Sequence, residues 1–242
     1  MTATPANTTS PSTATQDSKP TPAWRSVYAL SLFVIITAFA VGSDLWSKDV
    51  VFETLLDKPE LAIRTKEQAA YLEHCRPSFP HLPPANTEAY SRMVLQQIHL
   101  TKPLGGPVDL TLSVNPGVVF GFDEIPDLAV NLVTVLMCGV LIGLFVKTHK
   151  GDWWMHIALG FILGGAIGNL YDRLANHVPL PGLLPIQHHV RDFIDCSRVG
   201  YQWIFNLADV YLVIGVAGLM IHWVVLHRRD LRAAKAREAR DA

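Results

Sequence analysis

Two short runs carry residues whose types and spacing can do chemistry. In "GGAIGNLYDRLANH", Asn169 precedes Asp172 by three positions and Arg173 by four, so a helix would put all three on one face. In "FNLADVYL", Asn206 and Asp209 are again three apart, and Asp209 is set among Leu207, Ala208, Val210 and Tyr211. Asp44 and Lys48 in "SDLWSKD" have the spacing of a helical ion pair. Asp192 in "HHVRDFID" and Asn115 in "SVNPG" stand in connecting segments. Asp192 and Asp209 have no basic neighbour at helical spacing except Arg191, and a carboxyl in apolar surroundings tends to keep its proton. Two such groups brought together do not both ionise, and the pair then holds an acid and a base at once. The base can deprotonate a water and the acid can protonate a leaving amine. That is an apparatus for peptide hydrolysis without a metal or a covalent intermediate. Spacing alone does not bring the two carboxyls together.

Other chemistries have less support. Asp44 with Lys48, and Asp172 with Arg173, read first as ion pairs that fix helix packing. His177, His188 and His189 lie near Asp192 and Asp195, but no HExxH or paired helical His exists, so they read as exposed loop histidines and no metal or other cofactor is expected. No GxSxG is present, and "GGAIG" lacks the strand before it that a phosphate loop needs. The 3 cysteines, Cys75, Cys138 and Cys196, form no CxxC and no disulfide framework.

The elements that must position these residues are membrane helices. Of 242 residues, 50% are hydrophobic and only 17% charged, and mean hydropathy is +0.25. A net charge of -1 offers no footprint for nucleic acid. Four apolar segments stand out: Trp24 to Trp46, Pro126 to Lys147, Trp153 to Asp172 and Phe205 to His227. Each has about 20 residues, roughly 30 Å of helix and so the depth of the hydrocarbon layer. Tryptophans mark or adjoin the segment ends, where their rings favour the interface. Gly164, Gly165 and Gly168 in the third segment admit a neighbouring helix closely.

Basic residues set an expected orientation. The tail "HRRDLRAAKAREARDA" and the turn "KTHKGD" are rich in Lys and Arg, whereas residues 49–123 hold more acids than bases. The positive-inside rule puts tail and turn in the cytoplasm, and with four spans the N-terminus also. Segments 49–125 and 175–204 then face outward, and the polar residues at the span ends gather at that leaflet. Ionisable groups at such depth normally face the protein interior or a watery cavity. The expected organisation is a disordered Thr/Pro/Ser leader at 1–22, a four-helix transmembrane domain at 23–227 and a basic cytoplasmic tail at 228–242. "AFA" at 38–40 resembles a signal-cleavage site, but the apolar stretch is long for one and the leader weakly basic.

Within the outer segments, "TKEQAAYLEHCR" and "TEAYSRMVLQQIHL" read as short amphipathic helices about the breaker-rich "PSFPHLPPAN". "VDLTLSVNPGVVFGF" reads as strand, turn, strand, and "HVRDFID" as a further strand.

Taken together, these motifs resemble the lipoprotein signal peptidases, or signal peptidase II, an aspartyl protease family of bacterial membranes. "DLWSK" is similar to D-x-x-x-K, "NPGVVFG" to N-x-G-x-x-F-G, "GGAIGNLYDR" to G-G-A-x-G-N-x-x-D-R, "VRDF" to V-x-D-F and "FNLAD" to F-N-x-A-D. Five patterns in family order, within matching spans over about residues 25–226, are highly specific. The resemblance implies a fold of four transmembrane helices with a small outward-facing β-cradle and a surface helix. It implies Asp192 and Asp209 as catalytic pair. Asn115, Gly117, Asn169, Arg173 and Asn206 would line and bind the site, with Asp44, Lys48 and Asp172 in support. It implies a monomer in the bacterial cytoplasmic (inner) membrane whose partners are membrane lipid and diacylglyceryl-modified prolipoproteins, cut just before the lipidated Cys.

The chain is longer than is usual for that family. The excess lies in the leader, in 50–110, around 176–189 and in the tail. The third insertion lengthens the path that must return Asp192 to the site, and Asp195 is the fallback. The rival readings are a proton-coupled transporter using Asp209 and a non-catalytic homologue. The almost wholly apolar inner halves of the spans weigh against the first, and the presence of both motif aspartates against the second.

Overall fold

A computed structural model describes residues 21–98, 100–104, 106–116 and 126–241. Its frame is four long apolar helices: α1 (Val27–Leu56), α4 (Asp127–Lys147), α5 (Trp153–Ala175) and α6 (Leu207–Asp241). Between them, among the described residues, lie α2 (Pro59–Cys75), α3 (Glu88–Gln97) and six strands: β1 (Thr101–Pro103), β2 (Asp109–Asn115), β3 (His177–Val178), β4 (Ile186–Gln187), β5 (Val190–Asp195) and β6 (Ile204–Phe205). All four expected spans are helical, and the chain is a multi-pass membrane protein.

α5 is the hub of the bundle and packs on α1, α6 and α4. Of its most apolar stretch 44% is buried, against 11% to 22% for the other three helices, which give most of their surface to lipid. Its glycines make that position possible. A Cβ on Gly164 would stand 2.5 Å from the Ala40 methyl of α1, and one on Gly165 would stand 2.5 Å from the Ala208 carbonyl oxygen of α6. With no hydrophobic drive between helices in lipid, such close backbone approach supplies the attraction through dispersion contacts.

α1 runs ten residues past Trp46. Asp44, Ser47, Lys48, Asp49 and Glu53 interrupt the hydropathy there and hide the continuation. Val51, Phe52 and Leu55 nonetheless recur at helical spacing, and all three are buried. They open a core outside the bundle, shared with Leu61 and Leu72 of α2, Tyr90 and Val94 of α3, and Leu112 and Phe193 of the sheet. A separate apolar cluster at the other end of the bundle joins Phe33, Phe145, Leu159 and Leu163.

The helices of the outer segment start where their signals lie. Pro59 occupies the first turn of α2, where no amide hydrogen is needed. The Thr87 hydroxyl accepts from the Tyr90 amide at 3.3 Å and caps α3. The main sheet is antiparallel in the order β1-β2-β5-β6, and β3 pairs with β4. Of the expected strand, turn, strand after Val108, the first strand is β2. The rest of it falls at residues 117–125, outside the described residues.

The register of β2 on β5 matters most. Ser113 lies opposite Asp192, Val114 opposite Arg191, and Asn115 opposite Val190. Alternation along a strand then puts Asn115, Ser113, Val190 and Asp192 on one face, and Val114, Arg191 and Phe193 on the other.

Candidate active site

Most of the residues singled out in the sequence meet where the sheet sits on the ends of α1, α5 and α6. The Lys48 ammonium of α1 is fully buried. It lies 2.7 Å from Asp44 Oδ2 and 3.1 Å from Asp172 Oδ2, and it donates to Asn169 Oδ1 at 3.1 Å. Two carboxylates and one amide oxygen thus surround the ammonium, the kind of pairing that burying such a charge requires. Asp44 turns its other oxygen to the Ala208 amide at 2.9 Å and so caps α6 from a different helix.

Asp172 is paired differently from the expectation. Among the described residues it makes no ion pair with Arg173. Its carboxylate takes Lys48, together with Arg191 Nε at 3.1 Å and Nη2 at 2.9 Å, and Oδ2 accepts the Arg191 backbone amide at 3.0 Å. Adjacent residues on α5 diverge by about 100°, so Asp172 faces α1 and β5 while Arg173 faces the cavity.

Asn206 and Asp209 form a reciprocal cap at the start of α6. The Asp209 amide donates to Asn206 Oδ1 at 3.1 Å, and the Asn206 amide donates to Asp209 Oδ2 at 3.2 Å. The Asn206 side-chain amide donates to Asp192 Oδ1 at 2.7 Å and to Asn169 Oδ1 at 3.1 Å. Asn169 in turn donates to Asp209 Oδ1 at 2.9 Å. One asparagine therefore braces both carboxyl groups.

Both carboxyl groups line a cavity of about 420 Å³. Its polar end is Asn115, Asn169, Arg173, Asp192 and Asp209. Its apolar wall runs along Val133, Met137 and Leu141 of α4, at membrane depth. Arg173 Nε is buried and makes no hydrogen bond within the described residues. A second cavity, about 440 Å³, reaches Asp209 from its other side past Tyr201, Phe205 and Val213. A larger cavity, about 670 Å³, lies apart between α2, α3 and residues 76–82, and neither aspartate lines it.

Burial pushes the Asp192 carboxyl up to about 7, and the nearby charge of Asp209 adds to the rise. Bonds from Asn115 and Asn206 oppose it in part. A carboxyl that keeps its proton near neutral pH can act as an acid.

Of the sequence candidates, Asn115, Asn169, Arg173, Asp192, Asn206 and Asp209 converge on the cavity or its bracing. Asp44, Lys48 and Asp172 lie behind it, and Gly117 lies outside the described residues. Asp195 bonds the Ser197 amide at 2.8 Å at the far end of β5. His177 and His188 are exposed as expected, but His189 is buried, with Nε2 3.0 Å from Arg92 Nη1. The insertion it belongs to folds back through the β3–β4 pair onto α3. Sequence reasoning missed Arg191, whose guanidinium holds Asp172 and reaches Asp49 at 2.6 Å. A lone cation inside the apolar strand "VRDFI" was its only signal.

Fold and site together define a multi-pass membrane protein with two acidic groups lining one cavity of its bundle. Residues 87–225 match the family described as Signal peptidase (SPase) II, and the chain belongs to that family. A lipoprotein signal peptidase of Caulobacter vibrioides is 39% identical over 121 residues, covering 49% of this chain and 66% of that protein. One of Anaeromyxobacter is 26% identical over 209 residues, covering 81% and 85%. A solved bacterial membrane enzyme shares the fold at a TM-score of 0.51 and 19% identity, over 80% of this chain and 93% of that one.

Proposed function

We propose that this protein removes the signal peptides of diacylglyceryl-modified prolipoproteins, cutting just before the lipidated Cys with Asp192 and Asp209 as its catalytic pair. The observation that carries the reading is the double brace of Asn206, which bonds Asp192 Oδ1 at 2.7 Å while capping the helix turn that presents Asp209. Water attacks the scissile carbonyl carbon. Asp209 takes a proton from that water, and Asp192 gives its own to the carbonyl oxygen. When the resulting gem-diol collapses, the C–N bond breaks and the amine leaves with the proton held on Asp209. The gem-diol hydroxyl returns a proton to Asp192, and the pair is restored. Arg173, with Nε unbonded among the described residues, is placed to polarise the carbonyl.

A lipid-anchored signal helix stays in the bilayer, so its scissile bond lies near the interface. The apolar α4 wall and the cleft beside α6 give its hydrocarbon two ways to reach Asp209. Charge supports placing this end at the outer leaflet of the cytoplasmic membrane. Lys147, Lys150, Arg228 and Arg229 lie at the opposite end, so both termini are cytoplasmic.

The test is cleavage of a diacylglyceryl-prolipoprotein in detergent. Asp192→Asn and Asp209→Asn each abolish turnover while the folded protein is retained, and a chelator leaves the rate unchanged. Near-normal cleavage by either variant refutes the pair.

A further inference from the structure

We infer that Arg191, at the open position of V-x-D-F, is the positioning residue that sets where Asp192 stands relative to Asp209. The inference rests on the reading of those two aspartates as the catalytic pair.

The pairing of β5 with β2 is regular from Val190 to Asp192 and breaks just beyond Asp192. The register of β2 slips between Leu110 and Ser113, and Ser113 is the residue opposite Asp192. β6 pairs with β5 only at Ile194 and Asp195. Bulged ladders are locally broken and bend their strand. The sheet therefore fixes Asp192 from one side only, and contacts outside the sheet set the rest of its position.

Arg191 supplies such contacts. Alternation turns it away from the cavity, toward α1 and α5. Its backbone amide and two guanidinium nitrogens all bond Asp172 of α5. Nη1 bonds Asp49 of α1, and the guanidinium carbon lies 5.8 Å from the Phe52 ring centroid. Asp172 is shared with Lys48, which bonds Asn169, which bonds Asp209. The strand bearing one carboxyl is thus tied through a single α5 carboxylate to the bonds that hold the other. Only the planar fork of arginine meets Asp172 through two nitrogens and still reaches Asp49.

Cleavage kinetics in detergent test this, with Asp192→Asn and Asp209→Asn as controls. Arg191→Gln lowers kcat by about 100-fold and moves KM by less than about 3-fold, as misplacement of a reacting group does. With Asp192 freed toward water and away from Asp209, the alkaline limb of the pH–rate profile moves to lower pH. Arg191→Lys restores part of kcat, and Asp49→Asn costs a few-fold. These two milder variants decide the matter if Arg191→Gln does not fold. Wild-type kcat and an unmoved limb in the folded variants overturn the inference. So does a fall in kcat that tracks lost thermal stability with the limb unmoved. Cleavage by the Asp192→Asn or Asp209→Asn control instead refutes the catalytic pair itself, whatever Arg191 does.

Discussion

The two aspartates of the site stand on unlike supports. Asp209 belongs to a helix N-terminus, and its nearest brace is Asn206, three residues away. Asp192 belongs to a short strand whose partner β2 is bulged beside it, and its surroundings come from β2, α5, α1 and the start of α6. One carboxyl is presented by a local helix cap that Asn169 and Asp44 then fix from α5 and α1, and the other is held almost wholly by contacts distant in sequence. The comparison teaches that such a site has a half whose turn is formed locally and a half that exists only once the bundle has closed on the sheet.

The sharpest way to break that comparison is to remove the charge that both halves share. Lys48→Met leaves Asp44 and Asp172 buried beside each other without their common cation. Losing one partner of a buried pair costs about 3–5 kcal/mol. The expected outcome is little folded protein after detergent extraction, read by thermal unfolding, with no cleavage. A variant that folds and cleaves normally would mean that the two halves are not joined through Lys48.

Asn206 separates the halves more finely. Asn206→Ala loses the cap, worth about 0.5–2 kcal/mol, along with the bond to Asp192. Asn206→Ser keeps a good capping oxygen but cannot donate to both Asp192 and Asn169. Serine is expected to recover most of the stability lost by alanine while kcat stays at least about 10-fold low. Equal recovery of both would show that the brace on Asp192 does not matter.

Helix approach comes next. A Cβ on Gly168 would stand 2.5 Å from Asp44 Oδ2, so Gly168→Ala must move α1 or turn Asp44 off the α6 cap. Overpacking of this kind costs about 1–3 kcal/mol. The Asp209 half should suffer first, seen as a lower melting temperature with a several-fold loss of kcat. An unchanged melting temperature would mean that the contact relaxes freely.

The smallest effect concerns the proton on Asp192. Its folded value of about 7 lies above the ordinary 3.8, so folding favours the protonated form. That contribution is present below the unfolded value and is lost as pH rises through the folded one. Asp192→Asn, which never ionises, should raise the melting temperature by a few degrees at pH 8 and leave it nearly unchanged at pH 4. Cleavage by the wild type should fall as pH rises past about 7. Equal melting temperatures of variant and wild type at both pH values would place Asp192 in water rather than in the protein.

Some of this was legible in the chain alone, and the rest was hidden for a physical reason. The four spans follow from about 20 apolar residues each, because an apolar run of that length has few other places to go. The shared face of Asn169 and Asp172, the pairing of Asp44 with Lys48 and the turn that presents Asp209 follow from helical periodicity, which acts over three or four residues. Tertiary structure alone decided that Asp172 turns to Arg191, that His189 is buried, that α1 continues to Leu56 and that Asp192 reaches the same cavity as Asp209. Each of these depends on a partner far along the chain, such as Arg191 on Asp49, and no local pattern encodes the distance between two surfaces before they pack.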